Sequence, residues 1–459
     1  MKILLINPPI REWSQPNMFP QGLGYIAAAL KNAGHEVGVL DINAYRWSQA
    51  QVEEKIKDAK FDIVGTGSLI TTYKYLKWLA NVLKKHHPTK PLIMGGKVVS
   101  SMQEQIMGFI PQVDVVVYGE GEITVVELVD CFDRGGKLAD VRGICYRDNG
   151  NTIKNVSRPV IENIDTLPWP AWDLFPMEIY LKNPDGYYEL KSDAKWTDGK
   201  PEEDTPLTIN ISASRGCPFS CIFCCKDFKG MKYRTMSPDR VLQIIKYLQD
   251  TYGVSYFNIQ DDLFICNRKH THEFADAILV KGIKFEWSCS ARVDLVDEEL
   301  FKKIQASGCK LLGYGIESGS QRMLDTMKKH VKVEDIVNAV RLTQKHFEFV
   351  DASFVIGFPG ENEETIQETI DLCKELNLQP EVVFFATPYP GTELWELSLM
   401  LGKIKDFDKY FMGLGEQGAK IRVNFTKWTD SELMDVNRRM IKELSAMNKK
   451  LVSNDAYYS

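Results

Sequence analysis

Short apolar runs alternate with amphipathic stretches along most of this chain, and the alternation predicts its fold. In the first third, strand-like runs occupy residues 3–7, 36–41, 62–65, 91–94 and 113–117. Residues 23–33, 72–84 and 123–131 between them carry apolar positions at helical spacing. Strands that alternate with helices predict a parallel, doubly wound α/β sheet. A second series begins near residue 207. Its strand-like runs are residues 208–212, 256–260, 284–289, 311–316, 352–356 and 382–385. Helical patterns at 241–251, 299–307, 333–346 and 364–375 separate them, and Ser237-Pro238 is a helix start. Six such units predict a partial (β/α)6 barrel, an architecture that places chemistry at the carboxyl ends of its strands.

The connecting regions read differently. Residues 143–146 and 152–155 flank Asp148-Asn149-Gly150, a hairpin turn signal. Leu167-Pro168-Trp169-Pro170-Ala171-Trp172 reads as a proline-stiffened tether. Residues 183–205 are polar and read as a long loop or lid over the site. The expected layout is a first domain over 1–140, a hairpin and linker over 141–204, a second domain over 205–400 and a short helical C-terminal extension over 401–459, with one helix at 429–448.

A chain of 459 residues has ample material for two cores. Its net charge of −6 and the absence of a Lys/Arg tract argue against a nucleic-acid partner; Lys84-Lys85-His86-His87 reads as a solvated helix end. No run of about 18 apolar residues predicts a membrane span, and the apolar N-terminus meets Pro8 and Pro9 too soon for a signal peptide. The scattering of most of the ten cysteines suits reduced thiols in a cytoplasm, anaerobic or well reduced.

Three of those cysteines are not scattered. Cys217, Cys221 and Cys224 stand as C-x-x-x-C-x-x-C within Arg215-Gly216-Cys217-Pro218-Phe219-Ser220-Cys221-Ile222-Phe223-Cys224. Random placement of ten cysteines yields this spacing with a chance of roughly one in two hundred. A zinc site wants four ligands, and no His stands nearby; packing thiols are the other ordinary reading. Three thiolates can instead hold three corners of a four-iron cluster and leave one iron open. Gly216 and Pro218 break helices and favour a loop.

This spacing, with Phe223 before the last cysteine, resembles the radical S-adenosylmethionine (SAM) enzymes. The resemblance implies a [4Fe-4S] cluster on Cys217, Cys221 and Cys224 whose open iron chelates SAM and whose electron cleaves it to a 5′-deoxyadenosyl radical. It further implies a SAM site at the strand ends. Beside Phe223 it comprises Gln260, Asp261 and Asp262 for the amino group, Arg292 for the carboxylate, Glu317 for the ribose, and Ile356, Pro388 and Tyr389 around the adenine. Such acceptors and a planar guanidinium fork suit those groups chemically. Cys225, Cys266 and Cys289 stand near this site and read as packing residues or, alternatively, a catalytic thiol.

The first domain lacks G-x-G-x-x-G after its first strand, which argues against a dinucleotide. Asn7-Pro8-Pro9, Gly22-Leu23-Gly24, Gly34-His35-Glu36, Gly95-Gly96 and Tyr118-Gly119-Glu120-Gly121-Glu122 make it similar to the cobalamin-binding domain that precedes many radical SAM modules. That likeness implies cobalamin held by Pro8, Pro9, Gly24, Ser68, Leu69, Gly95, Gly96, Lys97, Gly119, Glu120, Gly121 and Glu122. None of the seven histidines follows an Asp by two positions, so the D-x-H-x-x-G cobalt ligand is absent.

Together these features lead to a cobalamin-dependent radical SAM C-methyltransferase. An unactivated C–H bond offers no acidic proton or leaving group, so cofactors must open it. The acceptor reads as a small metabolite or a protein residue, the glutamine of methyl-coenzyme M reductase being one candidate by analogy. Radical cyclisation or rearrangement without methyl transfer is the alternative, and a non-catalytic cobalamin or redox sensor is the reading from another class. A tRNA methylthiotransferase is set aside because residues 1–140 hold only Cys131. An electron donor such as ferredoxin or flavodoxin is implied.

Overall fold

The computed structural model describes residues 1–10, 16, 18–182, 206–225, 232–379, 383–415 and 420–445. They form two compact units, one from the residues up to 182 with 406–415, the other from the remainder.

The first unit is built on a seven-stranded sheet in the order β2-β1-β3-β4-β5-β6-β7. Strands β1 (Lys2–Asn7), β2 (Glu36–Asp41), β3 (Ile63–Gly67), β4 (Leu92–Gly95) and β5 (Val115–Val117) are parallel. Their Val- and Ile-rich sequences suit strands covered on both faces, and Ile3, Leu5, Ile63, Ile93 and Val115 join Ala27, Leu30, Leu128 and Val129 of flanking helices in one core. In an order that begins 2-1-3, the crevice for a ligand opens between β1 and β3 at their carboxyl ends.

Two features of this unit correct the sequence reading. The hairpin expected in the linker belongs to the sheet: β6 (Ile144–Asp148) pairs antiparallel with β5, and β7 (Asn151–Lys154) pairs with β6. Its turn residues Asn149 and Gly150 have φ of 48° and 85°, as a tight hairpin requires. Residues 406–415, expected in the C-terminal extension, also pack here. Asp408 accepts from Tyr73 and, at 2.7 Å, from Lys77, while the Phe411 ring meets Tyr73 at 5.5 Å and Phe109 at 6.2 Å.

The second unit holds six parallel strands in simple succession: β8 (Thr208–Ile211), β11 (Tyr256–Ile259), β12 (Glu286–Ala291), β13 (Cys309–Glu317), β14 (Asp351–Ile356) and β15 (Val383–Phe385). This is the partial barrel that the sequence predicts. Helices start where side chains satisfy their first amides: Ser237 before Pro238–Tyr252, Asp297 before Glu298–Ala306 and Asn362 before Glu363–Glu375. The helix predicted at 429–448 is seen over Asp430–Ser445; it packs against Glu363–Glu375, and Asn437 donates to the Val383 carbonyl at 3.2 Å. Residues 183–205, read as a lid, lie outside the described residues.

Candidate active site

The cluster loop starts at the carboxyl end of β8 and is closed at its neck by a small antiparallel ladder. There β9 (Ser214–Arg215) pairs with β10 (Arg234–Thr235), with Ser214 opposite Thr235 and Arg215 opposite Arg234. Gly216 follows with φ of 89°, a conformation glycine adopts without strain. Asp261, at the end of β11, fixes this neck. Its carboxylate accepts from the Ala213 amide at 2.9 Å and from Ser214 Oγ at 2.7 Å. Burial pushes that carboxyl up to about 7. The resemblance implies Asp261 at the SAM amino group; in the structure each of its oxygens accepts a hydrogen bond at the base of the cluster loop. Gln260 and Asp262 beside it are exposed, and Gln260 Oε1 accepts from Asn210 at 3.0 Å.

Cys217 and Cys221 are partly exposed, Cys224 is exposed, and no cysteine is in a disulfide. The Cys224 amide donates to Cys221 O at 3.3 Å, forming a turn within the motif. Among the described residues no three Cys, His, Asp or Glu side chains converge as ligands of one ion. A four-iron cluster takes each thiolate on a different iron, so its ligands stand apart. Three accessible thiols on one pinned loop fit that requirement.

Arg292, just past β12, lies on this loop. Its guanidinium stands 3.7 Å over the Phe219 ring, a cation–π contact. Its Nε bonds Asp294 Oδ1 at 2.7 Å, and its Nη2 donates to His330 O at 2.9 Å. The resemblance implies Arg292 at the SAM carboxylate; in the structure two of its nitrogens also hold the loop's surroundings together. Phe223 packs edge-on against Phe358, with centroids 5.6 Å apart. Phe358 follows Ile356 and β14 in a loop pinned by Glu361, whose carboxylate accepts from the Gly357 amide and, at 3.3 Å, from the Phe358 amide. Burial pushes Glu361 up to about 7. After β15, Pro388 is buried and burial pushes Tyr389 up to about 12. Glu317 ends β13 with φ of 69° and pairs with Lys329 at 2.9 Å. Lys329 and the β9–β10 neck carry no sequence signal of their own, because each matters through a tertiary partner. Cys289 is fully buried, which raises its thiol well above the ordinary value. Burial also pushes Cys266 up to about 11, so neither is a ready thiolate. Cys225 is partly exposed.

In the first unit, the strand ends are small and bare, as a broad ligand needs. A Cβ on Gly67 would stand 2.2 Å from Gly95 O, and one on Gly96 would stand 3.0 Å from Ser68 O. Glycine there lets β3 and β4 close together and exposes backbone at the crevice. Gly119 has φ of 77° and open space where a Cβ would be. Ser68 and Leu69 are half-buried and Lys97 is exposed beside them. Pro8 and Pro9 are buried next to Asn7, which donates to Asp41 at 2.8 Å and to Tyr180 at 3.1 Å. Burial raises the Asp41 carboxyl within this network.

Three residues that the likeness places at cobalamin also have close partners within this unit. Gly24 lies inside helix Gln21–Asn32, where a Cβ would stand 2.9 Å from the Phe19 ring and 3.0 Å from Pro170 Cβ. Glu120 accepts from the Ile161 amide at 2.6 Å. Gly121 faces Ile26, whose Cδ1 would stand 2.9 Å from an added Cβ. Glu122, also expected there, is buried in the first turn of helix Gly121–Arg134.

The unit's histidines are engaged elsewhere. His35 faces Asp130 at 3.2 Å, His86 faces Glu53 at 2.9 Å and His87 faces Ile56 O at 2.7 Å. Each stands in a segment that leads into a strand, not at a strand's carboxyl end. None of this unit's histidines therefore stands at the strand ends where the crevice opens, and the small, glycine-rich strand ends fit a broad ligand.

The Radical SAM superfamily matches residues 211–373, and the B12 binding domain matches residues 13–129. An uncharacterized methyltransferase of Pyrococcus horikoshii is 32% identical over 404 residues, covering 87% of this chain and 83% of that protein. An anaerobic magnesium-protoporphyrin IX monomethyl ester cyclase of Cereibacter sphaeroides is 27% identical over 404 residues, covering 85% of this chain and 62% of the cyclase. The structure of the radical SAM methyltransferase TsrM from Kitasatospora setae shares the fold, with a TM-score of 0.71 at 18% identity over 88% of this chain and 77% of that one. The chain belongs to the radical SAM superfamily, as a cobalamin-dependent enzyme of its methyltransferase group that uses a [4Fe-4S] cluster, SAM and cobalamin.

Proposed function

We propose that this enzyme methylates an unactivated carbon of a small organic acceptor. One observation carries the reading. The cluster loop follows the first barrel strand, and Phe223, Arg292, Glu317 and the Glu361-pinned loop stand at or just past strand ends on that same side of the sheet. Barrel enzymes concentrate their chemistry there. When bound, the cofactors supply one-electron cleavage of SAM, a radical that takes hydrogen from carbon, and a methyl group for that carbon.

The protein's own contribution is binding and orientation. Cys217, Cys221 and Cys224 would hold the cluster, Glu317 would accept from the ribose hydroxyls, and Ile356, Pro388 and Tyr389 would flank the adenine. Arg292 would keep Phe219 and the loop in place while its positive charge favours the SAM carboxylate nearby. Ser68, Leu69, Gly95, Gly96, Lys97 and Gly119 would line the corrin crevice.

A small organic acceptor is supported by the cyclase relative, whose named substrate is one, and by the lack of a basic tract. No relative compared above names a protein acceptor, so the methyl-coenzyme M reductase glutamine gains no support. Among the described residues no helix is long and apolar enough to cross a membrane; we place the enzyme in the cytoplasm, reduced by a ferredoxin or flavodoxin.

Anaerobic reaction of the reconstituted enzyme with reductant, trideuteromethyl SAM and host extract tests this. Deoxyadenosine together with a trideuteromethyl-labelled small molecule is expected. The same cyclase relative favours a second reading, ring closure without methyl transfer. Deoxyadenosine with an unlabelled, dehydrogenated product would decide for that one.

A further inference from the structure

An ammonium group is seldom buried, because it loses its hydration on leaving water. Lys329 is 9% exposed and Glu317 is 7% exposed, and their charged atoms meet at 2.9 Å. The pair occupies the carboxyl end of β13. Space for it comes from Gly315: a Cβ there would stand 2.4 Å from Glu317 Oε1 and 3.1 Å from Lys329 Nζ. The backbone around the pair is also unusual. Glu317, Lys328 and His330 have φ of 69°, 51° and 55°. Non-glycine residues in this region gather where surrounding contacts over-determine a functional geometry.

The turn that carries Lys329 also reaches the cluster loop. Met327 O accepts from the Ile222 amide at 3.0 Å, and Ser220 Oγ meets His330 Nε2 at 3.5 Å. His330 O accepts from Arg292, whose guanidinium covers Phe219. Segment 327–330 therefore touches both sides of Cys221 in sequence and, two residues from its contact with Ile222, holds the carboxylate at the end of β13. A buried ion pair returns little net stability, because desolvation offsets most of its Coulombic gain. Orientation of the carboxylate is the better account of why this one is built.

We propose that Lys329 is a positioning residue for SAM. It holds the Glu317 carboxylate in the orientation that accepts the ribose hydroxyls, and its turn ties that orientation to the position of the cluster loop. The proposal rests on Glu317 as the ribose acceptor. Replacement of the cation by an apolar side chain leaves the carboxylate buried without its charged donor, so its aim is lost while the cysteines remain.

The test uses the full chain with its cluster reconstituted anaerobically, in wild-type form and as Lys329→Met, Lys329→Arg, Glu317→Gln and the Glu317→Gln/Lys329→Met double variant. The readouts are the SAM dissociation constant, the change that SAM causes in the EPR spectrum of the reduced cluster, iron content and Tm. Lys329→Met is expected to keep full iron content, weaken SAM binding by about tenfold and diminish the EPR change. Lys329→Arg is expected to restore most of the binding, and the double variant to bind no worse than Glu317→Gln alone. SAM binding by Lys329→Met within about twofold of wild type, or losses that multiply in the double variant, would overturn the role of Lys329. If Lys329→Met does not fold, Lys329→Gln carries the same comparison with a neutral donor in place. A wild-type cluster that shows no EPR response to SAM, or Glu317→Gln with unchanged SAM binding, would instead defeat the ribose assignment beneath it.

Discussion

At the scale of single residues, two carboxyl groups show how the second unit spends stability on position. Asp261 and Glu361 are buried against backbone amides of the cluster loop's neck and the Gly357-Phe358 turn, and both are raised to about 7 from ordinary values of 3.8 and 4.5. Between those limits the folded chain holds more protons than the unfolded chain. Stability therefore falls as pH rises from about 4 to about 7 and levels off above. Glu361→Gln keeps an oxygen for the two amides and has no charge to bury. Its Tm should exceed that of wild type by roughly a few degrees at pH 8, with the gap closing below pH 5; thermal melts across pH check this, and a constant gap would contradict it. Cys221→Ala should lower reconstituted iron to near zero while leaving the far-UV circular dichroism unchanged. Retention of iron would show that the loop does not ligate the cluster through this residue.

Whole elements meet at these positions too. Strands β3 and β4 approach so closely at their carboxyl ends that Gly67 faces Gly95 O across a gap no side chain fits. Gly67→Ala must push the strands apart, and overpacking of this kind costs about 1–3 kcal/mol. Urea melts should show that loss, together with cobalamin binding weakened by more than the stability change explains. The β9–β10 neck is another such junction: two residue pairs close the cluster loop, and Asp261 supplies the bonds that the short ladder lacks. Asp261→Ala leaves the Ala213 amide and Ser214 hydroxyl without their acceptor, a cost of about 1–3 kcal/mol for a buried donor. The sequence marked Asp261 as polar at a strand end. That it bonds backwards to the loop's base and not outwards was not legible, since a strand-end residue has no preferred direction until its neighbours are placed.

On the scale of the whole molecule, the absence of a suitable histidine becomes a spectroscopic expectation. Enzyme loaded with cob(II)alamin should give an EPR spectrum without nitrogen superhyperfine splitting from a protein ligand, because His35, His86 and His87 are committed away from the strand ends. A nitrogen triplet on the cobalt lines that becomes a doublet when the protein carries 15N-histidine would overturn this.

How much of the molecule was readable in advance follows from the range of the forces involved. Apolar periodicity, turn glycines and helix caps are local, and they located the strands, the order of the two units and the three-cysteine loop to within a few residues. Pairing partners are not local. The hairpin at Asn149-Gly150 was legible as a hairpin, yet only its hydrogen bonds to β5 made it an edge of the first sheet. Residues 406–415 lie far along the chain from the unit they join, and a short helix with a few aromatic residues does not announce its destination. The sequence by itself determined the chemistry: three spaced thiols, glycine-rich strand ends and no histidine set for cobalt. Only the tertiary structure decided which partners the polar residues take, turning Asp261 and Arg292 towards the cluster loop and bringing Lys329 to Glu317. Burial and close approach set those roles, and both arise from residues distant in the chain.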